Sequence, residues 1–140
     1  MTRRSTGWLA AMLLACTVHA TAQEGEEPSL SIELNSLAPV EGTCRLTFVA
    51  TNRLGEDITH AAYEVVLFNS EGLVERLTVL NFRELPDGET RVRQFDLPDV
   101  ECDQLGRILV NGGAVCDGVE AGLCMDSLKA TTRTDIDFGK

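Results

Sequence analysis

The sequence predicts an all-β protein, an antiparallel immunoglobulin-like β-sandwich of six or seven short strands behind a cleaved signal peptide. Three observations predict it. Apolar residues alternate with polar ones over short runs, the period of a half-buried strand. Clusters of Gly, Pro, Asn and Asp separate those runs and supply turn chemistry. Past the leader, no run carries a convincing helical period. A chain of 140 residues makes one domain. Its formal net charge of −10 argues against phosphate-backbone binding, so no nucleic-acid partner is expected.

Residues 1–22 read as a secretory signal. Arg3 and Arg4 give the positive start, and residues 7–18 are uncharged and mostly apolar. That stretch is shorter than the ~20 residues a membrane-spanning helix needs. Ala20-Thr21-Ala22 has the small-x-small form of a cleavage site. Two rival readings exist. Leu13-Leu14-Ala15-Cys16 resembles a bacterial lipobox, which would acylate Cys16 and anchor the protein as an outer-membrane accessory subunit. Membrane contact is expected only in that case, and the apolar run continues past Cys16 to the cleavage site. Arg3-Arg4 invites a twin-arginine reading, but Ser5-Thr6-Gly7 lacks the apolar continuation. Cleavage after Ala22 gives a periplasmic protein that has lost its only Trp and two cations, and is more acidic still.

The remainder divides into a flexible acidic arm (residues 23–29), a sandwich domain (30–134) and a tail (135–140). Leu30, Ile32 and Leu34 alternate with Ser31, Glu33 and Asn35. Cys44, Leu46, Phe48 and Ala50 alternate with Arg45, Thr47 and Thr51, leaving Val49 as the one apolar residue outside. These are the cleanest period-two signals. Residues 61–68 (AAYEVVLF) are apolar on both faces and read as a central strand. Asn69-Ser70-Glu71-Gly72 is a hairpin turn, and residues 73–80 return. Leu85-Pro86-Asp87-Gly88 is a second turn, since Pro presets φ and Gly takes the left-handed position. Residues 89–97 follow as a strand whose phase slips between Val92 and Phe95, which predicts a bulge. Residues 106–111 make a short strand ended by Gly112-Gly113, and residues 127–132 a final edge strand. Residues 29–35 and 106–111 are the candidate sheet edges.

Past the leader there are four cysteines, Cys44, Cys102, Cys116 and Cys124. An even number in an oxidising compartment implies two disulfides. Of three pairings, Cys44–Cys102 with Cys116–Cys124 is favoured, because Gly118 and Gly122 allow a tight second loop. The gaps are too irregular for a zinc site, and no CxxC supports redox chemistry.

Catalytic constellations are missing. His60 is the only imidazole past the leader, and no GxSxG or SxxK motif accompanies it. Carboxylates at Asp99, Glu101, Asp103, Asp135 and Asp137 do not follow a calcium-loop pattern. No metal or other cofactor is expected. Arg76, Arg83, Arg91 and Arg93 gather four of the twelve cations. Arg91 and Arg93 share a strand face. If their strand neighbours that of Arg76, a basic stripe at Arg76, Arg91 and Arg93 would offer an interaction face to an acidic partner.

The succession LSIELNSL, GTCRLTFVATN, YEVVLFNSEGLVERLTV, LPDGETRVRQFDL and CDQLGRILVN resembles a group of small exported bacterial proteins, generally uncharacterised. Some are labelled only by a twin-arginine signal. The resemblance implies a periplasmic location and an immunoglobulin-like sandwich, and no activity. The expected function is a non-enzymatic periplasmic module that binds or supports another cell-envelope protein. The alternative is a small-ligand or cation binder that uses the acidic loops.

Overall fold

A computed structural model describes residues 25–140, and the proposed signal, with Arg3, Arg4 and Cys16, lies outside them. Eight strands form: β1 (Ser29–Val40), β2 (Thr43–Arg53), β3 (Ile58–Asn69), β4 (Val74–Leu85), β5 (Thr90–Pro98), β6 (Leu105–Asp117), β7 (Leu128–Thr132) and β8 (Asp137–Gly139). One turn of helix, α1 (Leu123–Asp126), precedes β7, and a 3-10 turn (Cys102–Gln104) precedes β6. The protein is all-β, as the period-two runs require. Its strands make two four-stranded sheets, ordered β5-β2-β1-β7 and β4-β3-β6-β8.

The sheets are mixed, which corrects the expectation of purely antiparallel pairing. In each, three antiparallel strands carry a short parallel strand on one edge, β7 on β1 and β8 on β6. Both parallel strands come from residues 128–140, where the sequence predicts an edge strand at 127–132 but no pairing direction and no second strand. The tail read as separate is thereby part of the domain, because β8 buries Phe138 in the core.

Period two sets the core. Leu30, Ile32 and Leu34 of β1 and Cys44, Leu46, Phe48 and Ala50 of β2 face inward from the first sheet. Tyr63, Val65 and Leu67 of β3, Leu80 and Phe82 of β4, and Ile108 and Val110 of β6 face them from the second. Phe48 lies between the layers, with its ring 5.4 Å from that of Phe82, 5.9 Å from Phe95 and 5.3 Å from Phe138. The edge-on and tilted arrangements suit the ring quadrupoles.

Three further expectations change. β5 pairs with β2 in unbroken register from Thr51↔Thr90 to Thr43↔Pro98, so there is no bulge between Val92 and Phe95. The apparent slip arises because Arg91 and Arg93 take inward positions and Val92 an outward one. β6 does not end at Gly112-Gly113 but runs to Asp117, with register shifts that let both glycines pair with β3. The candidate edges, residues 29–35 and 106–111, are internal: β1 lies between β2 and β7, and β6 between β3 and β8.

Both hairpin turns form. Asn69 Oδ1 accepts from the backbone N–H groups of Glu71 and Leu73, at 3.0 Å each, and Gly72 has φ 80°. The Pro86 carbonyl accepts from Glu89 N–H at 3.2 Å. At the same end, buried Asn52 binds three backbone groups. Its Nδ2 donates to the carbonyls of Leu85 (2.7 Å) and Glu56 (2.8 Å), and its Oδ1 accepts from Leu54 N–H (2.9 Å). One side chain thus joins β2, the loop after it and the end of β4. Such a group is stabilising only when fully satisfied, and no buried side-chain polar atom lacks a partner among the described residues.

The disulfides are Cys44–Cys102 and Cys116–Cys124. The first joins β2 to the 3-10 turn across 58 positions, the second ties the end of β6 to α1 across eight. Gly118 opens the short loop at φ +90°, where a Cβ would stand 2.7 Å from the Asp57 carbonyl. Tyr63 reaches the same loop from the core, and its hydroxyl donates to the Cys124 carbonyl at 2.9 Å.

Two predictions follow from this packing. On the chain-entropy account, removing the long disulfide by a Cys44→Ala/Cys102→Ala double substitution costs roughly 4 kcal/mol, and removing the short one roughly 2.5 kcal/mol. Urea unfolding of the two variants should rank them in that order; the reverse order would show that the Cys116–Cys124 loop holds more of the fold than its length implies. The second concerns Tyr63, the only tyrosine in the chain. Burial raises its pKa above the ordinary tyrosine value. The unfolded phenol ionises at about pH 10, so this residue's contribution is intact below that pH and is lost as pH rises through the folded-state value. Phenolate absorbance should therefore emerge only together with loss of near-UV dichroism, and a gradual titration in the folded protein would contradict the buried contact.

Candidate functional site

Each sheet has two edges, and the two edges formed by β4 and β5 lie on the same side of the molecule. There the anticipated arginines meet, but in a different role. Arg91 and Arg93 do share a face of β5, and it is the inner one, because Arg93 pairs with Phe48 and Arg91 with Ala50. Arg93 is only 7% exposed. Its Nε donates to the Phe82 carbonyl at 2.6 Å and its Nη2 to the Glu84 carbonyl at 2.8 Å, with the Glu84 carboxylate at 3.4 Å. A guanidinium from one sheet thus binds the backbone of the other. Burial, then the neighbouring Arg83, hold its pKa below the ordinary arginine value, and Glu84 opposes them. The side chain stays charged, because nothing in a protein deprotonates arginine at neutral pH.

Arg76 acts in the opposite direction. Its Nη1, on β4, donates to the carbonyl of Pro98 at the end of β5, at 2.8 Å. Arg91 pairs with Glu89 two residues away. The basic stripe is therefore corrected: two of its three members are clamps between the layers, because β4 and β5 face each other across the two sheets and are not neighbours in one.

Between the clamps lies a surface that strand patterning alone did not single out. Leu77 is 57% exposed and Val79 54%, both on the outer face of β4. Leu73 and Val74, at the hairpin, are 61% and 57% exposed. Across the sheet, Val66 of β3 pairs with Leu77 on one side and with Leu109 of β6 on the other. Phe68 pairs with Val74 and with Arg107, whose guanidinium lies 5.6 Å from the centre of its ring. One rung of the outer face, Leu77–Val66–Leu109, is thus apolar across three strands, and on the next rung Glu64 stands opposite Val79. Residues 61–68 read as apolar on both faces, and in the structure Ala62 and Val66 on the outer face of β3 are buried, while Leu73, Val74, Leu77 and Val79 along the edge strand β4 stay open.

The other candidates separate. His60 Nε2 lies 2.9 Å from Asn81 Oδ1, which also accepts from Arg83 N–H. His60 shares an open groove with Thr59, Asn81, Arg83 and Glu84, and no hydrogen bond joins its ring to a hydroxyl or thiol among the described residues. Asp99, Glu101 and Asp103 line an open groove with Pro39, Gly42 and Thr43 next to Cys102. Asp103 and Asp135 also line a neighbouring groove with Arg133. Among the described residues no group of three or more His, Cys, Asp or Glu side chains is arranged to hold a metal ion.

No protein-family model matches the chain, and no curated protein does. Among solved structures, the chain is similar to IrmA from Escherichia coli, at 13% identity and a TM-score of 0.58. The match covers 74% of this chain and 92% of that one. At that identity the likeness bears on the fold alone.

Hydrogen bonds from a charged donor are worth about 1.5–3 kcal/mol each, and Arg93→Met would strand two carbonyls at a buried seam. We expect it to cost about 2–4 kcal/mol in urea unfolding, with Arg93→Lys recovering only part because it lacks the two-pronged reach. Arg91→Met should cost far less; equal losses at the two positions would mean that the cross-layer bonds are unimportant.

Proposed function

We propose that this chain is an exported, non-enzymatic module, an immunoglobulin-like sandwich that binds another cell-envelope protein through the outer face of its second sheet and the edge strand β4. The observation that carries the reading is the set of exposed large apolar side chains along β4, Leu73, Val74, Leu77 and Val79. Soluble proteins seldom leave such a patch on an edge strand, because an edge already invites pairing with other chains. Two disulfides support an oxidising, periplasmic location, as do the apolar leader and the resemblance to small exported bacterial proteins. The likeness to IrmA is in keeping with a two-layer β architecture. The cation-binding alternative is less favoured, because the acidic side chains line open grooves without converging.

The test is site-specific photocrosslinking in the envelope of the protein's own host. A crosslinker at Leu77 should capture one reproducible envelope protein, and a Leu77→Lys/Val79→Lys variant should lose its co-purification while keeping its melting temperature. Capture from Glu101 in the acidic groove, with none from Leu77, would overturn the assignment of the surface.

A further inference from the structure

We propose that the middle of β4 takes up an extended, acidic segment of the partner protein as an added strand, with the segment's apolar side chains on Leu77 and Val79 and its carboxylates at Arg83 and Arg91. This rests on the reading of β4 as the interaction surface and adds the chemistry of what occupies it.

The backbone supplies the first argument. β4 is paired on one side only, with β3. The cross-layer arginine bonds fall near its two ends, from Arg76 to Pro98 and from Arg93 to Phe82 and Glu84. Residues 77–81 between them have no such clamp among the described residues. Five residues of strand span roughly 17 Å, enough for a short peptide to register by main-chain hydrogen bonds.

The exposed side chains supply the second. On an added strand alternate side chains share one face, and here Leu77 and Val79 present an apolar row on the outer face of β4. A partner segment with apolar residues at every second position matches it. Truly solvated edges carry charge at such positions, and lysine most of all.

Charge supplies the third, and it fixes the sign of the partner. Arg83, Arg91 and Arg93 cluster where β4 and β5 approach, and all three lower the pKa of Glu84, after its backbone hydrogen bond. Two carboxylates answer them: Glu84 pairs with Arg93, and Glu89 with Arg91. Arg83 has no carboxylate partner among the described residues, and it is exposed. On a chain of net charge −10, the end of this edge strand is locally basic. It would repel a basic segment and favour an acidic one, through selectivity and association rate more than through raw affinity.

The experiment uses the full exported chain and two fluorescent peptides of alternating threonine and valine, one ending in two glutamates and the other in two lysines. Polarisation at low salt should show the glutamate peptide binding about tenfold more tightly, a preference of ~1.4 kcal/mol. It should fade at ~0.5 M salt as the charges are screened. Val79→Lys should weaken both peptides. Arg83→Glu/Arg91→Glu should abolish or invert the preference. Arg83→Glu alone, at a residue without a carboxylate partner, should reduce it even if the double variant folds poorly. Equal binding of the two peptides, no binding of either, or binding indifferent to Val79→Lys overturns the proposal. So does a dimer of this chain that Val79→Lys breaks, which would give the edge to a second copy. In any of these cases, loss of envelope capture by the Leu77→Lys/Val79→Lys variant would leave the assignment of the surface standing with a different occupant.

Discussion

A pair of open four-stranded sheets has four edges, and the backbone amides along each must meet a partner or water. This constraint organises the molecule. Two edges are made by β7 and β8, strands of five and three residues added in parallel late in the chain. They are too short to offer much pairing surface. The other two, β5 and β4, are long and lie across the layers from each other. There the protein places arginines, and Arg93 crosses from one sheet to two carbonyls of the other. An inward arginine is expensive to bury without acceptors. With them it fixes the separation and register of two edges that no strand pairing connects.

The same constraint explains what could be read from the sequence. Strands whose two faces meet different environments were plain: β1 and β2 alternate cleanly because one face packs on Phe82 and Tyr63 and the other meets solvent. Turns at Asn69–Gly72 and Leu85–Gly88 were plain because their chemistry is local. The cysteine pairing followed from chain spacing and two glycines. What misled was any place where a long-range contact set the residue type. Arg93 looked like a phase error because its partners, Phe82 and Glu84, lie in the other sheet. Gly112 and Gly113 looked like a strand end, yet β3 pairs with them across bulges. Phe138 sits in a polar tail, and only the tertiary fold gives it Phe48 as a neighbour.

The site was legible in part and for a related reason. The density of arginines between positions 76 and 93 was visible, but whether they face solvent depends on strand order, which periodicity does not encode. β3 and β4 carry apolar residues on both faces, and such a pattern normally marks a strand covered on both sides. β3 is central in its sheet, as expected of that pattern. Its outer residues Ala62 and Val66 are buried as that pattern implies, and it is β4, at the edge, whose outer apolar residues stay exposed.

Clamped ends and an open middle divide β4 into parts with different tasks. Where Arg76 and Arg93 reach across, the edge is closed to added strands, and the two layers are tied. Where they do not reach, the edge keeps its pairing capacity beside exposed Leu77 and Val79. A protein selected only to stay monomeric would gain from a lysine or proline in that window, the usual protection of an edge. The window instead carries Leu-Thr-Val-Leu-Asn, with β-branched residues suited to pairing. Arg83 stands just beyond its end without a carboxylate partner among the described residues. The arginines therefore set the limits of the open segment as well as holding the layers, so that the stability of the seam and the length of strand available for binding are fixed by the same side chains.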